Sequence, residues 1–269
     1  MILMADEVQA RMGRRRAKIK PVQGGVTVLP LHGILSQRMN MMSEMSGGTS
    51  YEEFGAWFDA AVEDEAVGAI VLDVDSPGGS VYGLEELSAK MYAARGRKPI
   101  VAVANAQAAS AAYYVGSSAK QFVVTPSGEI GSIGVVSMHV DVSAADEQIG
   151  LKRTIISTPK FKAEGNPYEV LSKEARDHEQ GVVDDFYGRF VADVARNRNT
   201  TKADVEAHFG QGRMVLAEAA VAAGMADRVA TLAQVLTDLG VKVQPGRGML
   251  GAVDPSVDIR RRREKLRQH

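Results

Sequence analysis

Ser110 stands in the run Asn105-Ala-Gln-Ala-Ala-Ser-Ala-Ala-Tyr-Tyr114, where an apolar stretch suited to a strand gives way to small residues suited to a helix. A serine that opens a helix is ordinarily an N-cap. Here alanines on both sides leave room around the hydroxyl, which sits at the positive end of the helix, and the following N–H can meet a developing negative charge. That suits a nucleophile at a strand-to-helix corner, although the G-x-S-x-G pattern of hydrolase elbows is absent. A second segment, Asp75-Ser-Pro-Gly-Gly-Ser80, occupies another such junction. Proline and one glycine would suffice for a turn. Two adjacent glycines also let the backbone approach a ligand closely and present N–H groups to an anion.

A serine nucleophile needs a base. The chain has five histidines, His32, His139, His178, His208 and His269, and none lies in a motif-like setting. His139, which follows a strand-like run, is the one rival to a different base, lysine. A free lysine titrates near 10.4, so only about one in a few thousand is neutral at pH 7. Burial disfavours the ammonium and brings that value within working range of a base. The segment Ser157-Thr-Pro-Lys-Phe-Lys-Ala-Glu-Gly-Asn-Pro167 follows a strand-like run and could return a lysine over the serine. The residues alone leave open which lysine that is.

Composition narrows the classes. There is no cysteine, which removes disulfides, thiolate metal sites and cysteine nucleophiles and fits a reducing compartment. The formal charge of −1 gives no global field toward nucleic acid or an anionic membrane. Residues 1–20 contain no apolar run of secretory-signal or anchor length. Residues 100–119 lack charge, but are mostly small or amide-bearing, so they read as a buried strand entering a buried helix and not as a membrane span.

The elements that must position these groups alternate. Strands are expected over 26–35, 69–74, 100–104, 122–125, 133–137 and 153–157, and helices over 51–64, 84–95, 110–118 and 141–149. Repeated β–α units with apolar strands predict a largely parallel sheet covered by helices. From Pro167 on the chain reads as helical: Lys173–Arg198 with Ser172 as N-cap, then 202–209, 216–223 and 232–239. Residues 1–24 read as a basic flexible lead-in, 25–240 as one catalytic domain, and 241–269 as a linker and basic tail. The Met-, Ser- and Gly-rich stretch 38–50 reads as an exposed loop.

Four segments in order, Ser76-Pro-Gly-Gly79, Gln107-Ala-Ala-Ser-Ala-Ala-Tyr-Tyr114, Gly131-Ser-Ile-Gly-Val135 and Lys160-Phe-Lys-Ala163, resemble the signal peptide peptidase A (SppA) type of serine peptidase. Over residues 26–230 the chain is most similar to the short phage branch of that family, the protease C or head maturation proteases. The resemblance implies an α/β, ClpP/crotonase-like fold of stacked β-β-α units with a helical C-terminal part. It implies Ser110 as nucleophile, Lys162, 52 positions later, as general base with Lys160 as its local competitor, and Ser132 as the residue that orients the lysine amine. The oxyanion hole would be the N–H groups of Gly79 and Ala111. ClpP itself uses Ser–His–Asp, and Val135 falls about where that histidine would be.

The same resemblance implies an endopeptidase without metal or organic cofactor. Its substrates would be proteins or peptides, namely scaffold and capsid proteins during phage head maturation. It would work as a homo-oligomeric ring in the host cytoplasm or inside an assembling prohead, with no nucleic acid and no membrane anchor. Three departures stand out. Envelope SppA proteins carry an N-terminal anchor; the long form takes its lysine from a tandem repeat; and Ala111-Ala112 replaces a frequent Gly-Gly. The alternatives are an inactive scaffolding or assembly protein of the same fold, a crotonase-type acyl-CoA enzyme, and a bacterial SppA-like peptidase that degrades signal peptides.

Overall fold

The run Ala69-Ile-Val-Leu72 has no face it can turn to water, and in the computed structural model it lies at the centre of the sheet. The structure describes residues 24–39 and 47–241. The expected lead-in, much of the Met-rich loop and nearly all of the linker and basic tail lie outside the described residues.

The elements are β1 (Gly25–Ser36), β2 (Thr49–Ser50), α1 (Tyr51–Glu63), β3 (Val67–Gly79), α2 (Leu84–Ala94), β4 (Ile100–Ala109), α3 (Ala111–Ser117), β5 (Gln121–Val124), β6 (Glu129–Gly131) and α4 (Ser143–Gln148). There follow α5 (Lys173–Arg198), α6 (Lys202–His208), a 3₁₀ turn (Gly210–Gly212), β7 (Met214–Leu216), α7 (Ala217–Ala223), β8 (Arg228–Val229) and α8 (Leu232–Asp238). The sheet runs β2-β1-β3-β4-β5-β8, all parallel. β6 pairs parallel with the end of β4, and β7 pairs antiparallel with β6.

Side chains alternate across a strand. Ala69 and Val71 of β3, Val101 and Val103 of β4 and Val123 of β5 pack on one face against Val235, Leu236 and Leu239 at the C-terminal end. Ile70, Leu72 and Val74 point the other way and are fully buried. The helices that contact the long strands, α1 and α3, cover them, with α2 packed on both. Phe54, Phe58 and Met91 fill this layer without exposure.

The chain divides into two compact units, one running to Ile133 and resuming at Phe190, the other Gly134–Arg189. The first holds the sheet and its core. In the second, Ala175 is the one buried apolar residue among those described. It is held by polar contacts: Val142 N–H donates to Pro167 O at 2.8 Å, and Arg153 pairs with Asp146 at 2.6 Å while lying 4.3 Å from the Tyr168 ring centroid. Ser172 Oγ accepts from Ala175 N–H at 3.1 Å, the cap expected for α5.

Two expected strands do not form. Residues 133–137 and 153–157 have no ladder partner among the described residues, and the strand in the first of these regions is β6, earlier in the chain. Ser132, at φ 52°, turns the backbone out of the extended conformation before 133–137 can continue β6. An alternating apolar pattern supplies a strand's side chains but not the neighbour to which its N–H and C=O groups must bond. Strands β2, β6, β7 and β8, of two or three residues each, are too short to show in the sequence pattern.

Candidate active site

Strands β3 and β4 lie side by side, so the two Gly- and Ser-bearing corners that follow them are neighbours. Ser110 joins β4 to α3 with φ 52° and ψ −120°, a conformation that side chains rarely adopt. Its own N–H donates to Gly131 O at 2.8 Å, and its carbonyl accepts from Tyr114 N–H at 3.0 Å. It occupies the N-cap position of α3, yet its hydroxyl makes no capping bond. The side chain therefore does not do the work an N-cap serine usually does. Ser110 itself is half-buried, while all of α3 behind it is buried.

Gly78 has a specific reason to be glycine. At φ +98° it is in the left-handed region, and a Cβ there would lie 2.8 Å from Ser110 Cβ, 2.8 Å from Ala109 O and 3.1 Å from Ala111 N. A side chain on Gly79 would run into Leu35 O at 1.8 Å. The paired glycines thus let the end of β3 lie directly against the Ser110–Ala111 peptide. Ser76, fully buried, fixes their path: its Oγ donates to Gly33 O at 2.6 Å and accepts from Gly78 N–H at 3.1 Å. The N–H of Ala111 is in the first turn of α3, where no intrahelical acceptor exists.

The same corner includes Ser132. Gly131 O receives the Ser110 N–H, and Ser132, the next residue, is half-buried with its own N–H on Arg213 O at 3.0 Å. The structure therefore brings together Ser110, Ala111, the Gly78–Gly79 pair and the backbone at Ser132. Gly78 stood out from the sequence as half of the doubled glycine and Gly131 as the start of a family-like segment, but neither was given a role in the site.

Lys162 belongs to the second unit. Its side chain is exposed and its N–H donates to Pro159 O at 3.0 Å. Lys160 is already engaged there: its Nζ reaches both Glu174 oxygens at 3.0 Å and lies 4.5 Å from the Phe161 ring centroid. Three of the histidines are engaged as well. His32 Nε2 pairs with Asp73 at 3.3 Å, His208 Nδ1 with Asp204 at 2.8 Å, and His139 Nε2 with Asn166 O at 2.9 Å. Among the described residues none of these bonds goes to Ser110.

The corner thus defines a class: a parallel α/β sheet that presents a strained serine beside two glycine amides at the ends of adjacent strands. Residues 93–244 match the model of peptidase family S49, and the chain belongs to that family. It is 34% identical over 230 residues to head-tail preconnector protein GP5 of Enterobacteria phage P21, covering 85% of this chain and 45% of that protein. It is 32% identical over 228 residues to capsid assembly protease C of Escherichia phage lambda, covering 84% and 51%. The chain thus spans about half the length of these relatives. The solved structure of a mutant 1510-N membrane-bound stomatin-specific protease in complex with a substrate peptide superposes with a TM-score of 0.51 at 16% identity over 80% of each chain. That shared fold is the ClpP/crotonase-like one.

Proposed function

We propose that this chain is a serine endopeptidase working through a Ser110–Lys162 dyad. The observation that carries this reading is the Ser110 corner: a hydroxyl free of capping duty, in a costly backbone conformation, backed by a glycine that no side chain could replace without collision. A serine held this way at a sheet's carboxyl edge has a use as a nucleophile and little use as a cap.

The neutral amine of Lys162 takes the Ser110 proton, Ser110 Oγ attacks the peptide carbonyl, and the negative charge gathers on the carbonyl oxygen. The N–H groups of Gly79 and Ala111 receive that oxygen. The lysinium gives its proton to the departing amine as the C–N bond breaks, leaving an acyl-serine. Water, deprotonated by Lys162, attacks the ester; the acid departs and Ser110 recovers its proton. Ser132 orients the lysine amine. Lys162 is favoured over Lys160 because the Lys160 ammonium is held by Glu174, whereas among the described residues of its unit Lys162 has no such partner.

The substrates are scaffold and capsid proteins cut during phage head assembly, in the host cytoplasm or within the prohead. The support is the similarity to the phage relatives, one of them named a capsid assembly protease. Among the described residues no helix is long and apolar enough to cross a membrane. Assembly into a homo-oligomer fits the second unit, which leaves Val136 and Ile156 each 95% exposed.

The test is incubation with phage capsid and scaffold proteins, read by mass spectrometry. Ser110→Ala and Lys162→Ala each abolish cleavage while circular dichroism stays native. Full activity in Lys162→Ala would sink the dyad. Labelling of Ser110 by a fluorophosphonate separates the peptidase from an inactive assembly protein, and binding of a CoA thioester without labelling would point to acyl-CoA chemistry.

A further inference from the structure

On one face of the sheet, three neighbouring strands begin apolar and turn polar toward their carboxyl ends, Asp73 standing opposite Pro30 and Val103, one step before His32 and Asn105. Val28 of β1 is followed on its face by Pro30 and His32, Val71 of β3 by Asp73, and Val103 of β4 by Asn105. These polar side chains meet. Asp73 accepts from Asn105 Nδ2 at 3.0 Å on one oxygen and lies 3.3 Å from His32 Nε2 on the other. His32 is fixed from its far side too: Thr49 Oγ1 accepts from its N–H at 3.2 Å and donates to its carbonyl at 2.7 Å. The Asp73 side chain is 18% exposed, so its carboxylate sits in the junction of three strands and not in bulk water.

Both ladders of β3 lose register within two residues of Asp73. Between β1 and β3 the pairing slips after His32, where Gly33 alone faces Ser76 and Pro77. Between β3 and β4 it slips after Val74, where residues 105–107 face Asp75 alone. Bulges of this kind re-aim a strand, and they cost ladder hydrogen bonds that would otherwise hold it. What lies past the bulges is the corner itself: Gly78 and Gly79 on β3, Ala109 at the end of β4 and Ser110 after it. Asp73 thus ties β3 to His32, the last β1 residue before its register shift, and to Asn105, the first β4 residue within the other.

We propose that Asp73, through His32 and Asn105, is a positioning residue that sets where the ends of β3 and β4 emerge, and so the placement of Ser110 against Gly78 and Gly79. This rests on the reading of Ser110 as nucleophile. Asp73 touches no reacting atom; it acts by fixing the strands whose ends do. Asp75, exposed on the next position of that face, stands opposite His32, but the cross-strand bonds of His32 and Asn105 go to Asp73.

The test is the pseudo-first-order rate at which a fluorophosphonate labels Ser110, read by intact mass, in Asp73→Ala, Asp73→Asn and Asn105→Ala, with a melting curve for each. A displacement of about 1 Å at a reacting centre costs roughly 100-fold. The expected result is a 10- to 100-fold loss of labelling rate in folded Asp73→Ala, by that scale, and a smaller loss in Asn105→Ala. Partial rescue is expected in Asp73→Asn, whose amide oxygen still accepts from Asn105. Should Asp73→Ala fail to fold, the exposed Asn105 carries the same test. Wild-type labelling rates in folded Asp73→Ala or, failing that, Asn105→Ala, even with lowered melting temperatures, reduce the cluster to a structural tie and overturn the proposal. Absence of labelling in the wild type overturns the nucleophile reading, and this proposal with it.

Discussion

A half-exposed imidazole beside a carboxylate makes stability depend on pH in one direction. The hydrogen bond to Asp73 raises the His32 pKa above 6.5; burial opposes the shift, and the charges of Asp73 and Asp75 add to it. The folded state therefore binds the proton more tightly than the unfolded chain. The resulting stabilisation is full below pH 6.5 and is lost as pH rises through the raised value. Urea unfolding of wild type and His32→Gln at about pH 5.5 and about pH 8.5, on either side of that range, should show a larger difference at the acid end. A difference independent of pH would mean that the pair is not formed in solution. Gly78 makes a second residue-scale prediction. Gly78→Ala places a methyl 2.8 Å from Ser110 Cβ at φ +98°. It should cost about 1–2 kcal/mol for the left-handed backbone alone, and labelling of Ser110 should fall more steeply than stability.

At the scale of elements, the C-terminal strand β8 is anchored by a buried ion pair. Arg198, at the end of α5, donates to both Asp227 oxygens at 2.8 and 3.1 Å, and Asp227 also accepts from Phe122 N–H of β5 at 2.6 Å. Their side chains are 3% and 14% exposed. Removing one partner strands a buried charge, so Arg198→Ala should lower unfolding free energy by about 3–5 kcal/mol in chemical denaturation. The partnership was not legible: Arg198 and Asp227 are far apart in sequence and carry no local pattern. The long strands were legible, because an apolar run such as 69–72 can be satisfied only by burial on both faces. The extension of β3 to Gly79 and of β4 to Ala109 was not, since it depends on bulges that only the neighbouring strand defines. The segments at 133–137 and 153–157 show the reverse error: strand-like alternation with no ladder to join. The site divides the same way. Ser110 and the doubled glycine stood out by type, whereas Lys162 came from resemblance, and the Asp73 cluster has no signature in one dimension.

The molecule as a whole pairs a unit with a deep core and a unit with almost none, and the second displays Val136, Met138 and Ile156 to solvent. Apolar residues this exposed on a segment without its own core are the usual mark of an association surface. Ile156→Asp should lower the association state seen by sedimentation velocity without loss of the far-ultraviolet spectrum; an unchanged distribution would place any contact elsewhere. The backbone at Ser110 has a consequence of a different kind. Holding a side chain at φ 52° and ψ −120° costs about 1–3 kcal/mol, a cost glycine largely escapes. Ser110→Gly should therefore melt about 2–4 °C above Ser110→Ala for each kcal/mol released in a chain of this size. The ancestry of the protein would then record a standing conflict: drift toward robustness erodes the serine first, and only continued demand for its chemistry keeps the less durable chain in circulation.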